Sequence, residues 1–317
     1  MNSKIFFTAW NITKRSIVLA EHLKAKIITY QIPTNRFLKL FNYPFLVLLT
    51  FYKLIQQRPR IIFAQLPPFQ ISIPTYLYCK LFRKKLIFDT HSGIFFPKGL
   101  HQRFYLSVYC QMIKYINLNI VHNDSIFNRE CLKNTNSIVL EDKIPFPSSV
   151  YIPNPNLKIV VICGYGGDEP IKEALNAAQL LPDVNFYLTG KSNKLKNISF
   201  SKNVQLTGYL KDKDYEDLLR TADIILVLTT RPETVLCGAY ETVGLEKPLI
   251  TSDTQTLRKY FNKGTIFTKN DANSIVEAIN ITRQNLNKLH NEMTKLRKEK
   301  VLTWEQQFES VTKILNG

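Results

Sequence analysis

The chain has no cysteines paired at metal-binding or redox spacing. Its five (Cys79, Cys110, Cys131, Cys163, Cys237) are odd in number and scattered through 317 residues, with no Cys-x-x-Cys and no histidine at ligand spacing. That argues against a disulfide framework or structural zinc and for a reducing compartment. Long apolar runs are missing too. Tyr43 to Tyr52 is the longest, well short of the ~18 to 20 residues that span a bilayer, and Pro44 interrupts it near its start. Phe6 to Asn11 is broken by polar residues and lacks a cleavage site, so no signal peptide is expected and the protein is placed in the cytosol. Eleven Gly and fifteen Pro are near ordinary usage, and there is neither a low-complexity tract nor an internal repeat, which excludes solenoid and disordered architectures. A hydrophobic content of 45% with 21% charged residues is enough to bury a sizeable core, and the length suits two domains.

Negative charge is scarce in the first half. Residues 1–156 hold 20 Lys and Arg against 6 Asp and Glu, whereas the rest hold 22 against 19, within a formal net charge of +17. Such a field attracts anions: nucleic acid, anionic lipid head groups, or phosphorylated and pyrophosphorylated substrates. Lys39 and Lys53 flank the apolar run, with Arg36, Arg58 and Arg60 further out. A helix over residues 36–57 therefore reads in two ways: lying in an anionic membrane interface, or as a core helix with basic ends.

Short runs rich in β-branched and aromatic residues alternate with helix-length segments, the mark of parallel sheets with crossover helices. Strands are expected at Lys4–Thr8, Lys26–Tyr30, Arg60–Ala64, Lys85–Asp89, Leu118–His122 and Ser137–Leu140. After a stretch with Pro145, Pro147, Pro153 and Pro155, six more follow at Lys158–Cys163, Val184–Thr189, Val204–Thr207, Ile224–Leu228, Pro248–Thr251 and Thr265–Phe267. Helices are expected at Asp168–Leu181, Tyr215–Thr221, Asp271–Lys300 and Thr303–Leu315. The organisation that results is an α/β chain of two Rossmann-like domains, residues 1–150 and 157–300, joined by a linker at 151–156 and closed by a helix at 301–317.

The densest chemical signal is Arg231-Pro232-Glu233-Thr234-Val235-Leu236-Cys237-Gly238-Ala239-Tyr240-Glu241, just after a strand. A helix starting near Val235 would aim the amides of Leu236, Cys237 and Gly238 at the strand ends, where dipole and unpaired N–H groups favour an anion such as a diphosphate. Glu241 would lie one to two turns inside that helix and Glu233 before it. This Glu-x7-Glu pattern, followed by Glu246-Lys247-Pro248-Leu249-Ile250-Thr251-Ser252-Asp253, resembles the retaining family 4 glycosyltransferases of bacterial cell-surface polysaccharide type. The resemblance implies the GT-B fold, two Rossmann-like domains facing a central cleft with the C-terminal helix packing back toward the first. It also implies that Glu233 lies beside the transferred sugar and Glu241 binds the nucleotide ribose.

Further segments join that resemblance. Cys163-Gly164-Tyr165-Gly166-Gly167-Asp168-Glu169-Pro170 is similar to the family's phosphate-facing loop, with Gly166 at the phosphate, although Asp168 and Glu169 stand where Arg and Lys are usual. Lys191 or Arg231 must then supply the positive charge. Leu206-Thr207-Gly208-Tyr209-Leu210 resembles the segment whose main chain meets the nucleobase. In the first half, Leu86-Ile87-Phe88-Asp89-Thr90-His91-Ser92-Gly93 resembles the His-bearing loop under the reacting sugar, which makes His91 a catalytic candidate; Asn11-Ile12-Thr13-Lys14-Arg15 resembles the first loop without its paired glycines. Asp212-Lys213-Asp214 has the D-x-D form of a cation site, but directly before a helix it is read as a cap, and no metal or other cofactor is expected.

The function implied is metal-independent transfer, with retention, of a sugar from a nucleotide-diphosphate donor to an acceptor hydroxyl. The acceptor expected is a lipid-linked glycan in cell-surface polysaccharide assembly, met peripherally at the anionic inner face of the plasma membrane. Two other classes stand against it: a catalytically inactive GT-B-like binding subunit, and a basic nucleic-acid-binding protein. The second lacks any recognised motif, and its aromatic residues fall inside expected strands and helices, so nucleic acid is not expected as a partner.

Overall fold

The computed structural model describes residues 4–30, 36–147, 154–191, 195 and 200–316. The chain divides into two compact units, Met1–Glu141 and Asp142–Gly317. Of the linker expected at 151–156, residues 151–153 lie outside the described ones.

In the first unit the order is β1 (Ile5–Ala9), α1 (Lys14–His22), β2 (Lys26–Thr29), α2 (Arg36–Gln57), β3 (Ile61–Leu66), α3 (Ser72–Phe82), β4 (Lys85–Thr90), α4 (Leu100–Met112), β5 (Leu118–Val121), α5 (Asp124–Phe127) and β6 (Ser137–Val139). The second continues with β7 (Lys158–Val161), α6 (Ile171–Leu180), β8 (Asn185–Thr189), β9 (Val204–Gly208), α7 (Asp212–Arg220), β10 (Ile224–Val227), α8 (Cys237–Gly244), β11 (Leu249–Ser252), α9 (Gln255–Tyr260), β12 (Thr265–Thr268), α10 (Ala272–Gln284) and α11 (Leu286–Asn316). All twelve expected strands form, their ends shifted by at most two residues.

Each unit is a six-stranded parallel sheet, ordered β2-β1-β3-β4-β5-β6 and β12-β11-β10-β7-β8-β9. Helices cover both faces, so strands bury side chains on either side and read as continuous apolar runs. In the second sheet Ile159, Val161, Ile224 and Leu226 pack into one core, whereas Val160, Ile225 and Val227 pack into another across the sheet. That alternation is the period-two geometry of a strand.

Several helix boundaries differ from expectation. α6 starts at Ile171 rather than Asp168, because Asp168 and Glu169 are drawn into loop contacts and Pro170 is its N-cap. α7 starts at Asp212 with Lys211 as its N-cap and no side-chain cap. Asp212 and Asp214 are thus not caps; they occupy the first turn, where a carboxylate favours the helix dipole. The last helix pair breaks at Asn285, whose Nδ2 donates to Ile281 O, and runs unbroken through residues 301–303, which contain neither Gly nor Pro.

α2 spans residues 36–57, through Pro44. One side is core: Leu46, Thr50 and Leu54 are buried, and Trp10 Nε1 donates to Thr50 Oγ1 at 3.0 Å. The other side exposes Phe45, Leu48 and Tyr52. Among the described residues no helix is long and apolar enough to cross a membrane. Thr50→Val keeps the shape but leaves the buried indole N–H without its acceptor, so urea unfolding should show a loss of about 1–3 kcal/mol; an unchanged midpoint would contradict the role of this bond.

Candidate active site

Because every pairing in the second sheet is parallel, the loops after β7, β8, β9 and β10 emerge at one edge. The strand order reverses between β7 and β10, the place where an open α/β sheet forms its crevice. The loops following those two strands meet there. Thr230 N–H donates to Asp168 O at 2.7 Å, and Arg231 Nη2 lies 3.0 Å from Asp168 Oδ1.

α8 begins at Cys237 with Leu236 as N-cap, two residues later than expected. The amides of Ala239 and Tyr240 turn to Leu236 O. Gly238 allows this helix start to rest on the sheet: a Cβ there would lie 3.0 Å from Ile162 Cγ2 and 3.1 Å from Val227 Cγ1. One turn further, Glu241 is 7% exposed and turned inward, its Oε2 accepting from Tyr215 Oη at 2.6 Å. Burial, and next the charge of Glu241, push the Tyr215 hydroxyl well above its ordinary pKa, so it remains a donor. Glu233 lies half-buried in the loop before the helix.

The glycine loop already holds an anion. Gly164 N–H donates to Glu169 Oε1 and Oε2 at 3.0 and 3.1 Å, and Gly166 N–H donates to Oε2 at 2.8 Å. Beside it, Gly190 has φ of +87°, and a Cβ there would lie 2.3 Å from Cys163 O, so only glycine fits this close approach of two backbone segments. Lys191 follows, exposed, its Nζ 5.5 Å above the ring of Tyr209, which is exposed as well; Leu210 is half-buried next to it. Arg231 is engaged by Asp168, whereas Lys191 stands over an aromatic face. At the helix start the Cys237 thiol donates to Asp142 Oδ2 at 3.7 Å. The structure therefore brings Gly166 and Arg231 together through Asp168 and Glu169, joins Lys191 to Tyr209, and sets Leu236, Cys237 and Gly238 at one helix start.

The first unit has its own polar cluster. Register pairs Thr90 with Val121, so His91 and His122 stand side by side one residue beyond, their rings 4.3 Å apart. Asp89, two residues before His91, projects to the same side, 3.5 Å from His91 Nε2 and 3.9 Å from His122 Nε2. Asp89 is fully buried, and burial alone would raise its pKa; the Arg15 guanidinium, its Nη2 3.0 Å from Oδ1, and the two histidines hold it far below the ordinary carboxylate range. Arg15 also donates to Leu140 O and Glu141 O. Ligand atoms of Asp89, His91 and His122 all lie within 4.8 Å of one another, with Arg15 as the carboxylate's counterion. Neither imidazole Nε2 meets hydrogen-bonding geometry with any described group. Sequence reasoning singled out His91 and missed Arg15, Asp89, His122 and Tyr215 as members of these constellations; the shared strand register of His91 and His122 was the available signal.

Burial, then Arg15 and His91, push the His122 pKa well below its ordinary value. The unfolded chain takes up a proton near pH 6.5 that the folded chain refuses, so this contribution is complete above that pH and is lost as pH falls below it. Urea unfolding should weaken by up to about 1.4 kcal/mol per pH unit below 6.5, with a shallower slope in His122→Gln; equal slopes would exclude His122 as the cause. Glu169→Gln removes a full negative charge from the glycine loop. If that loop meets a pyrophosphate, calorimetry should show the variant binding a nucleoside diphosphate about tenfold more tightly, a change of about 1.4 kcal/mol; weaker binding would mean that Glu169 supports the loop and does not compete with the ligand.

The family described as glycosyl transferases group 1 matches residues 159–285, most of the second unit. No curated protein matches the chain by sequence. Among solved structures, the chain is similar to sucrose-phosphate synthase from Thermosynechococcus elongatus, with a TM-score of 0.77 at 12% identity over 98% of each chain. It is also similar to Anabaena HepE in complex with UDP and glucose, with a TM-score of 0.72 at 13% identity over 98% of this chain and 99% of that one. A glycosyltransferase from Rickettsia africae aligns with a TM-score of 0.64 at 12% identity over 98% and 90%. The fold is GT-B, and with the family match over the second unit these findings support glycosyltransferase activity.

Proposed function

We propose that the protein transfers a sugar from a nucleotide-diphosphate donor to an acceptor hydroxyl, in the manner of the retaining family 4 enzymes. The observation that carries this reading is Glu241: a carboxylate buried one turn inside α8, at the reversal point of the second sheet, already hydrogen-bonded to Tyr215. A carboxylate has several acceptor positions, and a ribose diol is a donor pair that suits them. The start of α8 lies one turn away, and its dipole favours the donor's phosphates. Anabaena HepE, bound to UDP and glucose in its structure, supports a nucleotide sugar as the ligand class.

As the glycosidic bond to phosphate breaks, negative charge grows on the leaving oxygen. Fixed amides and a cation stabilise that charge more in the transition state than before it. Lys191 is assigned as this cation, because Arg231 is engaged by Asp168. Tyr209 and Leu210 border the nucleobase, while Glu233 and His91 orient the sugar. The reaction needs no metal or other cofactor in this reading. The acceptor is a lipid-linked glycan of cell-surface polysaccharide assembly, reached from the cytoplasmic face of an anionic membrane. The basic, partly apolar first unit supports that choice. One observation favours a catalytically silent binding subunit instead: the glycine-loop amides are taken by Glu169.

Glu241→Ala should weaken nucleoside diphosphate binding by about tenfold to a hundredfold, the worth of hydrogen bonds to a charged group. Glu233→Ala should keep donor affinity and lower kcat by about a hundredfold. Calorimetry beside a donor-turnover assay measures both; wild-type behaviour in the two variants would remove the site, and binding without turnover in the wild type would favour the silent subunit.

A further inference from the structure

The first unit contains a cavity of about 430 Å³ that none of the proposed steps uses. It opens beside the carboxyl ends of β3 and β4, beneath the start of α2 and against α4, and Tyr43, Pro67, Phe69, Ile94, Tyr105 and Leu106 form its apolar wall. Phe69 and Tyr105 stack at 5.0 Å, which gives that wall a rigid aromatic side. The volume falls in the range of about 300–1,000 Å³ that small-molecule sites occupy.

The surface around it is unusual for a water-facing one. On α4, Leu100 is 83% and Phe104 64% exposed, each one residue before a cavity-lining residue, His101 and Tyr105, so helical geometry sets this stripe beside the cavity mouth. α2 exposes Phe45, Leu48, Tyr52 and Ile55 along one face, and on the adjacent α3 Ile73, Leu77 and Leu81 repeat every four residues. Exposed Lys80, Arg83, Lys98, Arg103 and Lys114 are interspersed. Between Glu21 and Asp124 the sequence contains a single acidic residue, Asp89, and that one is buried against Arg15.

Charge decides the occupant. A second copy of the chain would set two cationic faces against each other with no carboxylate to pair them. An anionic bilayer supplies both the apolar depth for the stripes and counterions for the lysines and arginines. We propose that the cavity seats the apolar chain of a phosphate-headed lipid drawn from such a bilayer, with His101 on its lip and Lys98 and Arg103 nearby facing the head group. This rests on the lipid-linked acceptor of the proposed function and names the site that holds its chain.

The test uses isoprenyl monophosphates of five, ten and fifteen carbons, read by the fluorescence of Trp10, which stacks on Tyr43 at 5.9 Å, in a Trp304→Phe background. Each methylene removed from water adds about fourfold in affinity, so the dissociation constant should fall by well over tenfold from five to ten carbons. Gly93→Leu extends into the cavity without backbone strain, since a Cβ there meets only Pro67, at 3.6 Å. It should weaken the ten-carbon ligand at least tenfold while leaving UDP binding, which belongs to the second unit, unchanged. Leu48→Glu with Leu81→Glu should abolish sedimentation with phosphatidylglycerol vesicles while leaving the fluorescence-detected binding of the soluble isoprenyl phosphates unchanged. Affinity independent of chain length, or indifferent to Gly93→Leu, overturns the cavity; vesicle binding equal on phosphatidylcholine overturns the anionic bilayer as its source. Loss of UDP binding in the wild type would instead sink the glycosyltransferase reading and leave the isoprenyl result standing.

Discussion

All strands of each sheet run the same way, and this constraint fixes where chemistry can occur. A parallel sheet sends every strand-to-helix loop to one edge, so residues far apart in sequence become neighbours there. Arg15, Asp89 and Leu140, from the start, middle and end of the first unit, join in a single buried ion pair with its carbonyl contacts. Taking a carboxylate fully out of water is costly, and the bond to Arg15 together with the imidazoles of His91 and His122 compensates for it. α1 is thereby fastened to the ends of β4 and β6. The cluster is neutral as a whole if both imidazoles are, and the burial that depresses the His122 pKa keeps that ring uncharged.

The second unit solves a different electrostatic problem. Its charges nearly balance, so a diphosphate could not be drawn there by a broad field and would depend on local donors. The local donors have internal partners: Glu169 on the glycine-loop amides, Asp168 on Arg231, Asp142 on the Cys237 thiol. An empty anion cradle surrounded by unpaired donors is itself unstable, and carboxylates that occupy it stabilise the unliganded fold. In the proposed function the same carboxylates would oppose the diphosphate. Binding strength would follow from the difference between two anions competing for one set of amides, which makes Glu169 the residue where stability and affinity trade against each other.

The strands were legible because a doubly covered parallel strand is a short apolar run, rich in β-branched residues and bounded by turn residues. Helix ends were less so. The start of α6 depends on Glu169 preferring loop amides to a helical position, a choice made by tertiary contacts. Similarly, Asp212-Lys213-Asp214 has a composition equally suited to a cap or to a first turn, and only the backbone separates them. In the site, Glu241 could be placed by its spacing from Glu233 and from the strand before α8. Tyr215 could not, since it comes from α7 and meets Glu241 across 26 residues with no sequence signal for the contact. His122 ends a strand as an ordinary residue would, and only the β4–β5 register turns it into a neighbour of His91.

Glu246 shows how a strained turn is held in place. Its φ is +58°, a left-handed conformation that costs a non-glycine residue about 1 kcal/mol or more. Glutamate is held in it by α11. Thr294 Oγ1 donates to Glu246 Oε2 at 2.7 Å, His290 Nδ1 lies 2.7 Å from the Glu246 carbonyl, and Arg297 Nε stands 3.8 Å from Oε1. The next residue, Lys247, is fully buried, and burial lowers its pKa to about 8 even with Asp223 opposing the shift. This turn leads directly from α8 into β11. A backbone strained at Glu246 and a lysine stripped of water are therefore tolerated at the far end of the helix that carries Glu241. Because α11 supplies three of the contacts that hold this turn, it stabilises the helix at the centre of the candidate site without supplying any residue to it.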